Sequence, residues 1–97
     1  MNIAYIGGGF VGTCSAATAA DFGHTVMVYD IDERKVRALS SYNHKEIESC
    51  LYEEGLAELI IRHQERLSFT TKKEVLVDFL ENVDAIFMCL PTPEIGD

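Results

Sequence analysis

Closely spaced glycines near the start of the chain constrain its fold more than any other feature. The stretch MNIAYIGGGFVGT places Gly7, Gly9 and Gly12 in the spacing Gly-x-Gly-x-x-Gly. The run Asn2–Ile6 before them is rich in Ile and Tyr, which is typical of a β-strand, and the stretch Phe10–Phe22 after them has helical length. The pattern therefore predicts a strand, a tight turn and a helix.

Each glycine in this spacing has its own physical reason. Gly7 allows the tight turn out of the strand, and Gly9 lets the backbone approach a pyrophosphate without a Cβ in the way. Gly12 lets the helix pack close to the strand. The amide groups at the start of the helix, at Phe10, then face the phosphates with the positive end of the helix dipole. The sequence therefore predicts a dinucleotide site on this loop.

An acidic residue after the second predicted strand narrows the choice of dinucleotide. Thr25–Tyr29 is a β-branched and aromatic run, and Asp30 follows it, about twenty residues beyond the first glycine. A carboxylate there accepts hydrogen bonds from the adenosine ribose hydroxyls and repels a 2′-phosphate, so we predict NAD as the cofactor. Arg34 and Lys35 lie close behind and could contact ribose or phosphate, which leaves NADP open as an alternative.

The order of predicted elements indicates the fold class. Strands and helices alternate as β-α-β-α-α-β-α-β, and this order predicts a parallel sheet flanked by helices. Right-handed crossovers favour a doubly wound arrangement of the Rossmann type, with a partial strand order 3-2-1-4. We therefore predict an α/β fold that forms part of a dinucleotide-binding domain.

Several local expectations accompany this fold. Asp32 is expected to cap the second helix, and the polar stretch Ser40–Glu54 is expected to be irregular. Thr71 and Glu74 match a capping box at the start of the last helix. The continuous apolar run Ala85–Leu90 predicts a strand covered on both faces.

Composition excludes some classes of partner and compartment. The net charge of −8 repels phosphate backbones and anionic lipid, so neither nucleic acid nor a membrane surface is an expected partner. The uncharged stretch Ile3–Ala20 is interrupted by glycines, and no Lys or Arg precedes it, so we expect no membrane span or signal peptide and a cytoplasmic protein. Cys14, Cys50 and Cys89 are odd in number and lack C-x-x-C spacing, which predicts reduced, buried thiols and no metal site.

The sequence also resembles a known family along its whole length. The stretches IAYIGGGFVG, VYDIDERKV, LYEEGLAELI and DAIFMCLPTP resemble segments of the N-terminal, NAD-binding domain of the UDP-glucose/GDP-mannose dehydrogenases. The first stretch is shared with many NAD and FAD proteins, whereas the combination of the last two is much more specific. Three positions depart from the family pattern: Gly8 stands where Thr, Ser or another small residue is usual, and Glu54 and Cys50 stand where Pro is usual.

The resemblance implies a set of cofactor contacts. They fall on the glycine loop Gly7–Gly12 with Val11, on Asp30, on Lys35 and on Thr92. Thr92 follows the fourth predicted strand, at the carboxyl edge where the order of strands in the sheet reverses and ligands bind. Its hydroxyl can both donate and accept a hydrogen bond.

The resemblance further implies oxidation of a primary alcohol of a nucleotide sugar to a carboxylate, through a covalent intermediate on a catalytic Cys. That Cys lies in the family in a Gly-rich stretch followed by Phe-Pro-Lys-Asp. None of Cys14, Cys50 and Cys89 has this neighbourhood, so we expect no catalytic residue within these 97 residues. We expect the chain to be the N-terminal part of the NAD-binding domain, with the rest of that domain and the catalytic and substrate domains outside it.

Alternative functions remain open from the sequence. The glycine loop would serve equally in a non-catalytic module that binds a dinucleotide and reports its occupancy to a partner. It would also serve in the N-terminus of a dehydrogenase of the 6-phosphogluconate or 3-hydroxyacid type, or in an FAD protein. An exposed sheet edge is expected to favour self-association, so a homo-oligomer is a further expectation.

Overall fold

A computed structural model of the chain describes residues 1–7 and 9–89. Within these residues the strands are β1 (Asn2–Ile6), β2 (Thr25–Tyr29), β3 (Leu67–Thr70) and β4 (Ala85–Met88). The helices are α1 (Phe10–Asp21), α2 (Glu33–Leu39), α3 (His44–Cys50), α4 (Leu56–Arg62) and α5 (Lys73–Leu80).

The strands form one parallel sheet in the order β3-β2-β1-β4. Ile3 of β1 lies opposite Val26 of β2 on one side and Ala85 of β4 on the other. Val26 in turn lies opposite Leu67 of β3. The predicted α/β fold and its strand order are confirmed.

Helix α1 packs on the sheet through small side chains. Ala16, Ala17 and Ala20 are fully buried, and short side chains on the buried face let the helix approach the strands closely. Gly23 follows the helix with a φ of 100°, a left-handed conformation that glycine adopts without strain. The predicted helix and its termination are both present.

Helix α3 lies inside the stretch Ser40–Glu54, so the expectation of irregular structure there is wrong. The side chain of Asn43 caps this helix by accepting a hydrogen bond from the backbone N–H of Glu46 at 3.2 Å. Ile47 is its one fully buried side chain among otherwise polar neighbours. A single apolar anchor produces no helical periodicity, which is why the sequence pattern missed the helix.

The predicted capping box before α5 is also wrong. The N-cap residue is Lys72 rather than Thr71, and it makes no side-chain capping hydrogen bond. Thr70 accepts instead, because its hydroxyl receives a hydrogen bond from the backbone N–H of Lys72 at 3.0 Å. The helix itself is present. Its apolar side chains Leu76, Phe79 and Leu80 are half-buried, whereas Val75 and Val77 are exposed.

Strand β4 is apolar but exposed among the described residues. Ile86, Phe87 and Met88 are 50%, 48% and 65% exposed, so the expectation of a strand covered on both faces is wrong for this part of the chain. In the sheet of described residues β4 pairs with β1 and forms an edge. Self-association through this edge stays a prediction.

In the described part of the chain, every helix is too short or too polar to cross a membrane. The cytoplasmic location stays a prediction.

Hydrogen bonds beyond the strand ends hold the carboxyl edge of the sheet together. The N–H of Gly7 donates to the carbonyl of Tyr29 at 2.7 Å, and the N–H of Cys89 donates to the carbonyl of Ile6 at 2.8 Å. The N–H of Asp30 donates to a carbonyl of β3 at 3.1 Å. The loops that leave β1, β2 and β4 therefore start from fixed positions at one edge.

A tight turn precedes α4 at the position where the family pattern has Pro. The N–H of Leu56 donates to the carbonyl of Glu53 at 3.0 Å, and Gly55 has φ 84° and ψ −10°. These angles are those of the third residue of a type II turn, whose second position favours Pro. Glu54 occupies that second position.

Replacement of Glu54 by Pro is therefore expected to stabilise the chain by about 0.5 kcal/mol, because Pro restricts the unfolded chain and fits this turn. In a domain of this size the gain corresponds to roughly 3 °C in Tm. The matched variant Gly55→Ala should lower Tm, since Ala is strained at positive φ. Thermal unfolding followed by circular dichroism measures both; a fall in Tm for Glu54→Pro would contradict the assigned turn.

Candidate functional site

The loop after β1 turns sharply at its first glycine. Gly7 has a φ of 102°, in the left-handed region that side chains other than glycine rarely adopt. Its N–H is held by Tyr29 of the neighbouring strand. The chain therefore leaves β1 in a fixed direction, as the glycine pattern predicted. Gly8 lies outside the described residues.

Helix α1 starts directly at this edge. The N–H of Thr13 donates to the carbonyl of Gly9 at 2.8 Å, which is the first hydrogen bond of the helix. The amides of Phe10, Val11 and Gly12 precede that bond, and in a helix they have no carbonyl one turn earlier to bind. The first turn contains no acidic side chain. The helix therefore presents N–H donors and a positive dipole end that can hold an anion.

The second and third glycines of the pattern differ in what surrounds them. A Cβ on Gly12 would lie 2.8 Å from the carbonyl oxygen of Gly7 and 3.0 Å from Cβ of Cys89, so the close approach of α1 to β1 and β4 requires glycine there. A Cβ on Gly9 would meet nothing within 4 Å. Glycine at position 9 thus leaves open space beside the helix start, which fits a pyrophosphate approaching the backbone.

Asp30 presents a fixed carboxylate at the end of β2. Its Oδ1 accepts a hydrogen bond from the backbone N–H of Asp32 at 2.8 Å, and its Oδ2 lies 3.4 Å from Nζ of Lys35. The side chain of Asp30 is 12% exposed and that of Lys35 is 27% exposed. The two predicted residues therefore meet in one ion pair at the carboxyl edge.

One cleft of about 880 Å³ brings these features together. Its size lies in the range of small-molecule and cofactor sites. All seven predicted site residues that the structure describes line it: Gly7, Gly9, Phe10, Val11, Gly12, Asp30 and Lys35. Thr92, the eighth, lies outside the described residues.

The cleft wall also contains residues that the sequence did not predict as part of the site, namely Ile6, Tyr29, Ile31, Asp32, Met88 and Cys89. Most of them end a strand or follow one directly at the carboxyl edge, so their positions along the chain could have identified them. Ile31 also has a local signal, because its large apolar side chain stands among the charged residues Asp30 and Asp32. It is 83% exposed.

A second hollow of about 610 Å³ lies beside α1, over β1 and β4, and is called the α1 groove here. Its lining includes Tyr5, Phe22 and Phe87 and contains no Asp, Glu, Lys or Arg. The rings of Tyr5 and Phe87 are stacked with centroids 5.1 Å apart. Among its lining residues His24 is the one side chain that can carry a positive charge, whereas the cleft combines the start of α1 with Asp30 and Lys35. The cleft is therefore the candidate cofactor site.

Cys14 and Cys50 do not resemble activated nucleophiles. Cys14 and Cys89 are partly buried, whereas Cys50 is exposed, so the expectation of burial is wrong for Cys50. Burial and, second, the charge of Glu53 raise the pKa of the Cys14 thiol. Although Cys50 is exposed, partial desolvation is the largest cause that raises the pKa of its thiol. A reactive thiol needs a lowered pKa.

No group of three or more His, Cys, Asp and Glu side chains among residues 1–7 and 9–89 is arranged to hold a metal ion.

Comparison with known proteins identifies relatives of the whole chain. The NAD-binding domain of the UDP-glucose/GDP-mannose dehydrogenase family matches residues 1–97. UDP-glucose 6-dehydrogenase AglM of Haloferax volcanii is 40% identical over 98 residues, which cover 100% of this chain and 21% of AglM.

Solved structures of two dehydrogenases have the same fold. A ternary complex of GDP-mannose dehydrogenase from Pseudomonas aeruginosa has a TM-score of 0.80 at 28% identity, with 99% of this chain and 21% of that chain covered. A UDP-glucose dehydrogenase from Pyrobaculum islandicum has a TM-score of 0.78 at 31% identity, with the same coverage. The chain thus spans about a fifth of the length of these relatives.

The two glycines are expected to respond differently to substitution by Ala. Gly12→Ala should destabilise the chain by about 1–2 kcal/mol, because the new Cβ meets the Gly7 carbonyl. Gly9→Ala should cost about 0.5 kcal/mol or less, because its Cβ meets open space and Ala is only a poorer N-cap. Urea unfolding measures both values.

Gly9→Ala is expected to affect NAD binding much more than it affects stability. Calorimetric titration of Gly9→Ala should show an affinity for NAD lowered by about tenfold, because the Cβ occupies the space left for the pyrophosphate. An unchanged affinity in a folded Gly9→Ala variant would contradict the assigned site.

Proposed function

Because the chain belongs to the UDP-glucose/GDP-mannose dehydrogenase family, we propose that residues 1–97 form the cofactor-binding part of an NAD-dependent dehydrogenase that oxidises the 6-hydroxyl of a nucleotide sugar to a carboxylate. The observation that carries the proposal is the single cleft that contains the glycine loop, the start of α1 and Asp30. These three features lie where the two phosphates and the adenosine ribose of a dinucleotide would need them.

Two groups of residues would hold the cofactor. The N–H groups of Phe10, Val11 and Gly12 would donate to the pyrophosphate, next to the open space at Gly9. The carboxylate of Asp30 would accept hydrogen bonds from the adenosine ribose, with Lys35 beside it. When bound, NAD supplies the acceptor for a hydride from the alcohol carbon, which is chemistry that no side chain can supply.

We assign the covalent and acid–base steps to residues other than the three cysteines of this chain. The thiols of Cys14 and Cys50 have raised pKa values, which lowers the fraction of reactive thiolate. Cys89 packs beside Gly12, where its Cβ helps to fix the approach of α1. The described residues therefore serve to bind and orient the cofactor.

Cofactor choice tests the role of Asp30. Calorimetry of the chain with NAD, NADP and FAD is expected to show the tightest binding for NAD, because the carboxylate of Asp30 repels a 2′-phosphate. Asp30→Ala should weaken NAD binding by about tenfold to a hundredfold, the value of hydrogen bonds to a charged group. It should also narrow the preference for NAD over NADP.

Asp84 provides a matched control for this variant. It is a carboxylate at the opposite, amino edge of the sheet, where its Oδ2 accepts a hydrogen bond from the N–H of Asn2 at 2.7 Å. Asp84→Ala should leave the ratio of NAD to NADP affinity unchanged. Tighter binding of NADP than of NAD by the unsubstituted chain would contradict the role given to Asp30, and tightest binding of FAD would contradict the proposed class of enzyme.

A chimera tests the enzymatic part of the proposal. Residues 1–97 would replace the matching 21% of Haloferax volcanii AglM, to which the chain is 40% identical. The chimera is expected to produce NADH from UDP-glucose, and the same chimera with Asp30→Ala should produce it at a rate lowered by about tenfold or more at limiting NAD. A folded chimera that binds NAD and UDP-glucose but forms no NADH would favour the non-catalytic binding module.

A further inference from the structure

Asp32 contacts both partners of the ion pair in the cofactor cleft. Its backbone N–H donates to Oδ1 of Asp30 at 2.8 Å. Its side-chain Oδ1 accepts hydrogen bonds from the N–H groups of Arg34 at 3.0 Å and Lys35 at 3.2 Å. One residue thus binds the carboxylate of Asp30 through its main chain and the backbone of Lys35 through its side chain.

The side-chain bonds of Asp32 determine where α2 begins. Asp32 is the N-cap of this helix, with φ −81° and ψ 102°, and its carboxylate binds the N–H groups at the second and third helical positions. The helix has seven residues, and a helix of that length is marginal without capping and packing. Lys35 is the third of these residues, so its position depends directly on the cap.

Lys35 reaches back across the same turn to Asp30. Its Nζ lies 3.4 Å from Oδ2 of Asp30, on the oxygen that the N–H of Asp32 does not bind. The backbone N–H of Asp32 therefore orients one oxygen of Asp30, and the ammonium group of Lys35, whose helix Asp32 caps, orients the other. A hydrogen-bond acceptor that is held in place before binding loses less conformational entropy when the ligand arrives.

We propose that Asp32 is a positioning residue for the adenosine half of the cofactor, and that it acts by capping α2 so that Lys35 is held against Asp30. This inference rests on the proposed function, since it assigns a role within the same cleft. Asp32 needs its side-chain oxygen for this role and not its negative charge, because Asn and Ser cap helices about as well as Asp.

The chain contains a matched control for the loss of a cap. Asn43 caps α3, which also has seven residues, through a hydrogen bond of 3.2 Å from the N–H of Glu46. Asn43 does not line the cofactor cleft. Asn43→Ala therefore shows how much a frayed helix alone lowers the affinity for NAD, because its cap does not contact Asp30.

The experiment measures the affinity of four single variants for NAD and for ADP-ribose, which retains the adenosine half, by calorimetry at a temperature where melting curves show each variant folded. Asp32→Ala is expected to bind both ligands about fivefold to tenfold more weakly. Binding must then order the uncapped start of α2, so the free energy of the lost cap is taken from the affinity. Asp32→Asn and Asp32→Ser should bind within about twofold of the unsubstituted chain, and so should Asn43→Ala.

A double-mutant cycle tests the route through Lys35. Lys35→Met removes the ammonium group and keeps most of the stem. Because Asp32 is proposed to act through Lys35, Asp32→Ala should cost little further affinity in the Lys35→Met background. If Lys35 loses its position with the cap, a crystal structure of Asp32→Ala should show a longer distance between Lys35 Nζ and Asp30 Oδ2.

Three results would overturn the inference. The first is a loss of affinity in Asp32→Asn equal to that in Asp32→Ala. The second is an equal loss of affinity in Asn43→Ala. The third is that the losses of affinity in Asp32→Ala and Lys35→Met add in the double variant. Failure of the unsubstituted chain to bind NAD would instead contradict the proposed function. The crystal structure of Asp32→Ala then decides the positioning role, since an unchanged contact between Lys35 and Asp30 would refute it.

Discussion

The close packing of α1 against the end of β1 is the constraint on which the site depends. The backbone at Gly12 approaches the Gly7 carbonyl so closely that even a methyl group would lie 2.8 Å from it. This contact fixes the first turn of α1 at the carboxyl edge of the sheet, beside Asp30. The N–H of Gly7 also binds the carbonyl of Tyr29, directly before Asp30. The N–H donors of α1 and the carboxylate of Asp30 therefore line one cleft at the carboxyl edge of the sheet.

The sequence predicted the fold well where one element has a strong local pattern. The strands and the helix after the glycine loop follow from apolar runs separated by turn residues, and the strand order follows from the right-handed crossovers of a parallel sheet. It failed where structure depends on contacts distant in the chain. Helix α3 is held by the buried Ile47, and Tyr42 before it has a φ of 52° while its hydroxyl donates to the Leu67 carbonyl at 3.0 Å. No local pattern contains the information that residue 42 contacts residue 67.

In the candidate site, too, the sequence predicted what depends on local spacing and missed what depends on the folded turn. Gly7, Gly12 and Asp30 could be identified because each satisfies a steric or electrostatic requirement that is visible in the spacing. The contribution of Asp32 could not be identified in this way, since the sequence indicated only a helix cap. Its bond to the carboxylate of Asp30 appears only when the turn between β2 and α2 is folded. Likewise the exposure of Cys50 depends on α3, which the sequence did not predict.

The central claim is that the start of α1 and the end of β2 together bind NAD. An amide-resolved NMR titration of the chain with NAD tests it most directly, because it reports every backbone N–H separately. We expect the largest shifts at Phe10, Gly12 and Asp30, with Thr18 and Phe22 in the α1 groove unchanged. Shifts confined to groove residues outside the cleft, such as Thr18 and Phe22, or no shifts at saturating NAD, would contradict the claim.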